Sequence, residues 1–300
     1  MTGHLLCPMC SGRGVLLLGE KEGVDIFRCS LCALIYRTPL LHIFYDGTYT
    51  DARYHVDARI PLAQGGQGTT LERYGHDLDV ARQRLADLLK FASPPTSLLD
   101  FGCSGGAMVD VATEAGFDAY GTEPGEWIIN QVAKARPKTA RKMLVASSTA
   151  ELACCMDVIT AYDVIEHLVD PTLELDSMRL RLAVGGILLI EQPDPSSEQA
   201  VTSGIDWRHI KPREHLYLMS PANFDRILVD TMFFRKVAQW APLPGRITMV
   251  YQKELRKMDK DQKPREPFFT GLSDMPRTEQ EFGAGKTEVT VSVPDAPKNG

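Results

Sequence analysis

The stretch Ser97-Leu-Leu-Asp-Phe-Gly-Cys-Ser-Gly-Gly106, continued by Gly121-Thr-Glu-Pro124, decides the fold of this chain. Its first five residues have the short apolar pattern of a buried strand, and a glycine-rich turn then leads into a predicted helix over 107–115. A second predicted strand, Asp118 to Thr122, ends on Glu123. Strand, turn, helix and strand in this order predict a right-handed βαβ unit.

The glycine turn has the form Asp100-x-Gly102-x-x-Gly105-Gly106. Glycines without a Cβ let backbone N–H groups approach a ligand, and a carboxylate at the tip of the second strand suits a ribose diol. A dinucleotide fold expects Gly-x-Gly-x-x-Gly after an apolar residue, whereas Asp100 would repel a pyrophosphate. An acid at this position instead favours a ligand that carries a sulfonium and an ammonium group.

This run resembles the first motif of class I S-adenosylmethionine (SAM) methyltransferases, an acid followed by Gly-x-Gly-x-Gly. Ser104 stands at the middle glycine position, which is a departure from that motif. The resemblance implies SAM as the cofactor and Glu123 as the residue that holds its ribose. It also implies a set of cofactor-binding residues at the carboxyl ends of the strands: Asp100, Gly102, Cys103, Ser104, Gly105, Gly106, Glu123, Pro124, Ser147, Tyr162 and Asp163. At Ser147, related enzymes often carry an acid that bonds the adenine amino group.

The rest of the main domain, predicted over 71–253, alternates helices and strands. An amphipathic helix over 71–91 precedes the first strand, and Gly185-Gly186 is expected to stop a helix before the strand 187–191. The predicted fold is α/β, a Rossmann-like, mostly parallel sheet of seven strands that ends in an antiparallel hairpin. Within the class, the chain resembles a methyltransferase-23-like group that includes ubiquinone-type O-methyltransferases and zinc-ribbon sugar C-methyltransferases.

Two Cys-x-x-Cys pairs lie near the start of the chain and predict a zinc ribbon over residues 1–38. Cys7 and Cys10 form the first pair, and Cys29 and Cys32 form the second. Two such knuckles at this separation are typical of a structural zinc site with four thiolate ligands. A pair of disulfides is the alternative, which a reducing compartment disfavours.

Composition sets limits on partners and location. The 300 residues carry a net charge of −6, with 44% hydrophobic and 24% charged residues, as in ordinary soluble domains. The acidic balance argues against nonspecific binding to nucleic acid or an anionic membrane. Without a signal-peptide pattern or a long apolar run, the chain is expected to be cytoplasmic.

Two segments flank the main domain. Residues 39–70 are interpreted as an aromatic linker with Tyr45 and Tyr49, and residues 254–300 as a polar tail that is disordered by composition. A protein partner that docks on the ribbon or the tail is the expectation for these segments, beside the small-molecule acceptor.

Candidate catalytic residues follow the fourth and fifth strands. Three interpretations of them remain open. In the first, His215 with Glu214, or His167 on the opposite side, removes a proton from the acceptor. In the second, a divalent ion is held by a set of side chains: Asp163, Glu166, His167 and His215. In the third, these residues only fix loops.

The predicted function is methyl transfer from SAM to the oxygen or carbon of a small polar acceptor, such as a sugar, a phenol or another biosynthetic intermediate. The polar segment 193–213, which contains Trp207 and Arg208, is expected to be a lid over that acceptor. The alternatives are an RNA methyltransferase that grips its substrate with the ribbon, and a non-catalytic interaction protein that binds SAM.

Overall fold

The computed structural model describes residues 6–38, 60–61, 67–153 and 155–255, with only the backbone described at 60–61 and 67–68. The described residues belong to one compact unit. Most of the predicted linker, including Tyr45 and Tyr49, and the predicted tail beyond Leu255 lie outside them, so both remain predictions.

Strands and helices alternate along most of the described chain. The described strands are, in chain order, β1 Val15–Lys21, β2 Val24–Cys29, β3 Ile35–Thr38, β4 Ile60–Pro61, β5 Gln67–Gly68, β6 Ser97–Phe101, β7 Asp118–Glu123, β8 Met143–Val145, β9 Met156–Tyr162, β10 Leu182–Pro193, β11 Tyr217–Leu218, β12 Phe234–Trp240 and β13 Arg246–Lys253. The described α-helices are α1 Tyr74–Leu88, α2 Ala107–Glu114, α3 Glu126–Ala135, α4 Pro137–Ala140, α5 Pro171–Arg181, α6 Glu198–Ser203 and α7 Pro221–Leu228.

The larger sheet has seven strands in the order β12-β13-β10-β9-β6-β7-β8. Strands β6 to β10 run parallel, and β13 pairs antiparallel with both β10 and β12. This confirms the mostly parallel α/β sheet that ends in an antiparallel hairpin. The chain leaves β6 on one side and returns to β9 on the other, so the carboxyl ends of β6 and β9 flank the switch point at which open α/β sheets bind ligands.

The central position of β6 explains its sequence. It pairs with β7 on one side and β9 on the other, and four of its five residues are buried. A strand covered by helices on both faces reads as a continuous apolar run instead of an alternating one. The two helices that flank it in sequence, α1 and α2, place Leu85, Leu88 and Ala112 in the same apolar core.

The smaller sheet contains the ribbon and has the order β1-β2-β3-β11. Glu22 and Gly23 join β1 to β2 with φ values of 54° and 75°, the left-handed pair that suits a two-residue hairpin turn. The last strand, β11, comes from the segment that follows α6, and its Tyr217 and Leu218 pair with Tyr36 and Ile35. The ribbon is therefore continuous, through one sheet, with a segment about 180 residues later in the chain.

Two predictions about the second half of the main domain are wrong. Gly185-Gly186 does not end a helix, because α5 stops at Arg181 and the two glycines lie within β10. They mark an irregularity in the pairing with β9, and Gly185 has φ of +79°. Glycine inside a strand commonly marks such a bulge.

The segment 193–213 does not form the long polar loop expected of a lid. It contains α6, and Trp207 is 1% exposed within an apolar cluster that also contains Ile26 and Ile35 of the ribbon. Burial of the large indole of Trp207 stabilises the folded protein, and the apolar face of the ribbon provides the contacts that bury it.

Among the described helices, none has the length and apolarity needed to cross a bilayer.

Candidate active site

The glycine turn after β6 forms a tight bend in which three residues have positive φ. Gly102, Ser104 and Gly106 have φ values of 75°, 47° and 79°. A Cβ on Gly102 would lie 2.6 Å from Val164 Cγ2, and one on Gly106 would lie 2.8 Å from Thr139 Cγ2. These two positions therefore require glycine, while Ser104 adopts the left-handed conformation with its side chain in place.

Glu123, at the end of β7, is bonded to this bend. Its Oε2 accepts the N–H of Ser104 at 3.0 Å, and its Oε1 accepts the N–H of Gly125 at 2.9 Å. The side chain is buried, and burial raises its pKa to about 7 against the opposing effect of the two N–H donors. The bend and the carboxylate are thus joined, and the role of Glu123 in binding a ribose stays a prediction.

Asp100 lies at the carboxyl end of β6, between β7 and β9. Thr160 Oγ1 donates a 2.8 Å hydrogen bond to its Oδ1. Burial raises the pKa of Asp100 to about 6, and the nearby charge of Arg84 opposes that rise. A cationic ligand group beside this carboxyl would favour its ionised form.

Arg84 and Arg246, which the sequence did not single out, lie beside the strand ends. Arg84 Nη2 donates to Asp163 Oδ2 at 3.1 Å and to Glu191 Oε1 at 2.7 Å, and Arg246 Nη2 donates to the same two carboxylates. Burial acts to raise the pKa of Asp163, but Arg246 and Arg84 outweigh it and lower the pKa. Asp163 is therefore engaged with two guanidinium groups. No local pattern marks either arginine, because their partners come from distant strands.

The remaining residues that are predicted to bind the cofactor differ in their burial and in their contacts. Tyr162 is buried beneath Arg84, whose Cζ lies 4.2 Å from the ring centroid, and its hydroxyl has no hydrogen-bond partner in the described part of the chain. Cys103 packs inward with Val109. Ser147 is exposed and donates both its N–H and its hydroxyl to Glu151 Oε1, at 2.9 and 3.3 Å. Pro124 follows Glu123 and is half-buried.

His167 and His215 meet edge to face, with ring centroids 4.8 Å apart. The Nδ1 of His167 lies 2.9 Å from the carbonyl oxygen of Glu214, and the Nδ1 of His215 lies 2.7 Å from that of His209. A carbonyl only accepts, so each Nδ1 donates and each ring carries its lone pair on Nε2. Burial lowers the pKa of both histidines, that of His215 furthest, so both rings are neutral at pH 7.

Glu214 contributes its backbone to this pair, while its side chain points elsewhere. The Glu214 carboxylate accepts Lys211 Nζ at 2.9 Å in a half-exposed ion pair. The carboxyl group that does lie beside the histidines belongs to Glu166.

Glu166 is fully buried, and neither of its carboxyl oxygens has a hydrogen-bond partner among the described residues. Its ligand atom and those of His167 and His215 all lie within 4.8 Å of one another. Burial, helped by the charge of Asp163, raises the pKa of Glu166 to about 8. Asp163 is not part of this group. One carboxylate and two imidazole nitrogens suit either a divalent cation or the movement of a proton.

The four ribbon cysteines form a second group. Their sulfurs all lie within 4.8 Å of one another, with 3.6 Å between Cys7 and Cys32 and 3.6 Å between Cys10 and Cys29. A tetrahedral zinc ion with Zn–S bonds of about 2.3 Å separates its sulfurs by about 3.8 Å, so the group fits that geometry. A disulfide needs about 2.05 Å, and the four cysteines are free thiols.

The fold and the site define a SAM-dependent methyltransferase. The chain belongs to the family described as Methyltransferase domain (Methyltransf_23), whose model matches residues 74–231, from α1 to just beyond α7. The match includes the bend, Glu123 and the histidine pair.

The relatives that it resembles in sequence are distant. The ubiquinone biosynthesis O-methyltransferase of Psychrobacter arcticus is 26% identical over 184 residues, which is 56% of this chain and 72% of that protein. The enzyme of the same name from Psychrobacter cryohalolentis is 25% identical over 183 residues, which is 56% of this chain and 71% of that protein.

Two solved structures to which the chain is similar are the following. The magnesium protoporphyrin IX methyltransferase ChlM from Synechocystis PCC 6803, with bound SAH, has a TM-score of 0.46 and 16% identity over 61% of this chain and 85% of that one. The N-methyltransferase NodS from Bradyrhizobium japonicum WM9 has a TM-score of 0.42 and 15% identity over 59% of this chain and 96% of that one.

Proposed function

We propose that this protein transfers the methyl group of SAM to an oxygen or carbon of a small polar acceptor, a sugar, a phenol or a related intermediate. The observation that carries the proposal is the bend after β6, held by Glu123, together with a buried group of two neutral histidines and a carboxyl, of which Glu166 and His167 follow the neighbouring strand β9. Val164, which precedes Glu166 and His167, lies against Gly102 of the bend, and this contact supports a cationic-ligand site close to a group that can accept a proton.

The residues of the bend would hold the cofactor. Glu123 would accept from the two ribose hydroxyls, and Asp100 would face the ammonium group of the methionine part. Arg84 lies near Asp100 and Tyr162 and would face the ligand's carboxylate. Bound SAM supplies an electrophilic methyl group on a sulfonium, which leaves as a neutral thioether.

The chain then has to align the acceptor and take up its proton. The Nε2 lone pair of His167 or His215 would accept the proton from the acceptor's O–H or C–H, so that the acceptor atom can take up the methyl group that bound SAM would supply. Both imidazoles are suited to this at neutral pH, because burial keeps them unprotonated. Most of the remaining rate enhancement would come from holding acceptor and methyl in line.

A second candidate assigns the same group to a divalent ion that binds the acceptor oxygens. It is favoured by the unsatisfied carboxyl of Glu166 and by the fixed tautomers of His167 and His215, since a backbone carbonyl on Nδ1 is a common way to orient a metal-ligating imidazole. With Asp163 paired to two arginines, the proposed ligands are Glu166, His167 and His215.

The four ribbon thiolates are proposed to hold a structural zinc ion. All four coordination positions would come from the protein, so the ion has no open position for catalysis.

Calorimetry with S-adenosylhomocysteine (SAH) tests the proposal most simply. Micromolar-range binding by the intact protein is expected, and its absence would contradict the function. A chelator weak enough to spare the thiolate zinc separates the two candidates, because only the divalent-ion candidate requires turnover to fall.

A further inference from the structure

The backbone of residues 209–216 is hydrogen-bonded to each member of the histidine group. Its carbonyls at His209 and Glu214 accept from the two Nδ1 atoms, at 2.7 and 2.9 Å. Its N–H at Leu216 donates to the carbonyl of Glu166 at 2.9 Å. The orientation of both imidazoles therefore depends on where this segment lies.

The other side of the segment is bonded to the ribbon. Arg37, in β3, donates from Nη1 to the carbonyl of Pro212 at 2.6 Å. Pro212 lies within the turn that Lys211 closes by accepting the N–H groups of Glu214 and His215 at 2.9 and 2.8 Å. One guanidinium thus fixes the turn that presents His215.

The buried position of Arg37 is energetically unfavourable for a charged side chain. Its side chain is 1% exposed, and its Nε and Nη2 have no hydrogen-bond partner among the described residues. Burial is the cause that lowers its pKa, with no carboxylate of the described chain beside it. A buried cation without a counter-charge destabilises a fold by on the order of several kcal/mol. An apolar side chain of similar length would not cause this destabilisation.

A cavity of about 10 Å³, room for roughly one water molecule, lies between β3 and the segment and is lined in part by Arg37, Pro212 and His215. The bond from Arg37 to Pro212 crosses from β3 to the segment beside this cavity.

A second bond joins α7, the helix that follows β11, to the backbone of the second knuckle. The carbonyl of Cys32 accepts Asn223 Nδ2 at 2.8 Å. Asn223 is buried, and its Oδ1 accepts the N–H and hydroxyl of Ser220 at 2.9 and 3.1 Å, at the start of α7. The second knuckle and the chain just after β11 are therefore connected through one amide.

We infer that Arg37 and Asn223 are positioning residues through which the ribbon sets the orientation of His167 and His215. The inference rests on the proposed function only for its effect on turnover. The ribbon is then a structural part of the catalytic site, and its metal acts on catalysis by fixing β3 and the second knuckle.

The test uses the full chain and the variants Arg37→Met and Asn223→Asp. Arg37→Met removes the bond to Pro212 together with the unpaired charge. Asn223→Asp keeps the acceptor for Ser220 and replaces the donor to Cys32 with a carboxyl oxygen, so the bond to the Cys32 carbonyl is lost and an ionisable group is added at a buried position. Lys21→Met is the matched control, because Lys21 also bonds the ribbon to this part of the chain, at the carbonyls of Ile205 and Trp207, each at 3.3 Å.

Five quantities are measured: zinc per chain, melting temperature, SAH affinity, turnover and the imidazole ¹⁵N spectrum, which reports the tautomer of each ring. We expect both variants to keep their zinc and to bind SAH within about twofold of wild type. The two rings should lose their single Nδ1–H tautomer, and turnover should fall at least tenfold. The melting temperature of Arg37→Met should be no lower than that of wild type. A further variant, Arg37→Lys, should restore the Nδ1–H tautomers in part.

Imidazole spectra that are unchanged in both variants would overturn the inference, as would an equal change in Lys21→Met. A large drop in the melting temperature of Arg37→Met would show a merely structural arginine. If wild-type protein fails to bind SAH, the proposed function fails, while the imidazole spectra still decide whether the ribbon positions the histidines.

Discussion

The carboxylate of Glu123 and the backbone N–H of Ser104 are joined by a 3.0 Å hydrogen bond, although 19 positions separate the two residues. The bond ties the tip of β7 to the bend after β6. Ser104 takes part in this bond through its backbone N–H, and its side chain is not needed. A serine can therefore stand at the middle glycine position, in a left-handed conformation that short polar residues tolerate.

Glu123→Ala should weaken SAH binding by more than tenfold. It removes the acceptor for the ribose hydroxyls and the acceptor that fixes the Ser104 N–H, and hydrogen bonds to a charged group contribute about 1.5–3 kcal/mol each. Calorimetry measures the effect, with Glu126→Ala, at the exposed start of α3, as the control. An unchanged affinity in Glu123→Ala would mean that the ribose lies elsewhere.

Gly102→Ala should destabilise the ligand-free protein, whereas Gly105→Ala should not. Gly102 has φ of +75° and its added Cβ would meet Val164 at 2.6 Å, while the atoms nearest to a Cβ on Gly105 lie at 3.7–3.8 Å. The left-handed conformation alone costs an alanine roughly 1–2 kcal/mol. Denaturant unfolding of both variants tests the difference, and equal stability would show that the bend has another shape.

SAH affinity should rise with pH and then level off. Burial raises the pKa of Asp100 to about 6 and that of Glu123 to about 7 in the ligand-free protein. The ligand's ammonium and ribose hydroxyls favour the ionised carboxylates, so binding releases protons between about pH 5 and 8. Calorimetry in buffers of different ionisation enthalpy counts these protons.

Asp100→Asn should flatten the lower part of that profile. An affinity independent of pH over the same window would contradict the placement of both acids. For the stability of the ligand-free protein the sign is opposite: a raised carboxyl pKa contributes stability below the unfolded-state value, and this is lost as pH rises through about 7 for Glu123.

Replacing a histidine should separate catalysis from cofactor binding. His215→Ala is expected to abolish turnover and leave SAH affinity within about twofold, because the ring lies beside Glu166 and His167 and outside the bend. Glu214→Ala is the matched control, since its side chain pairs with Lys211 and its backbone carbonyl stays in place. Loss of turnover in Glu214→Ala with retention in His215→Ala would reverse the assignment.

The purified protein should carry one zinc ion per chain. Native mass spectrometry and metal analysis measure the content, and Cys10→Ser should reduce it because a tetrahedral site then lacks one thiolate. Cys155→Ser is the control, since Cys155 lies in the main domain and its Sγ contacts the carbonyl of Leu180. A metal content that is the same in both variants would exclude the ribbon site.

Much of the fold was predictable from local pattern. The strand before the bend is short and mostly apolar, α5 begins where Asp170 accepts the N–H of Leu173, and α7 begins at the Ser220 capping box. Each signal acts over a few residues, so the sequence alone reports it. The prediction that Gly185-Gly186 ends a helix is wrong because glycine is typical both of a strand bulge and of a helix end.

The sequence by itself determined the α/β sheet, the bend with its flanking acids and the two cysteine knuckles, because spacing and conformational preference are local properties of the chain. Only the tertiary structure decided that Glu166 lies beside the histidines while the Glu214 side chain does not. It also decided that Arg84 and Arg246 enclose Asp163, and that Arg37 reaches the turn behind His215. Those contacts join residues up to 175 positions apart, and the partner of a buried charge is fixed by which strands become neighbours.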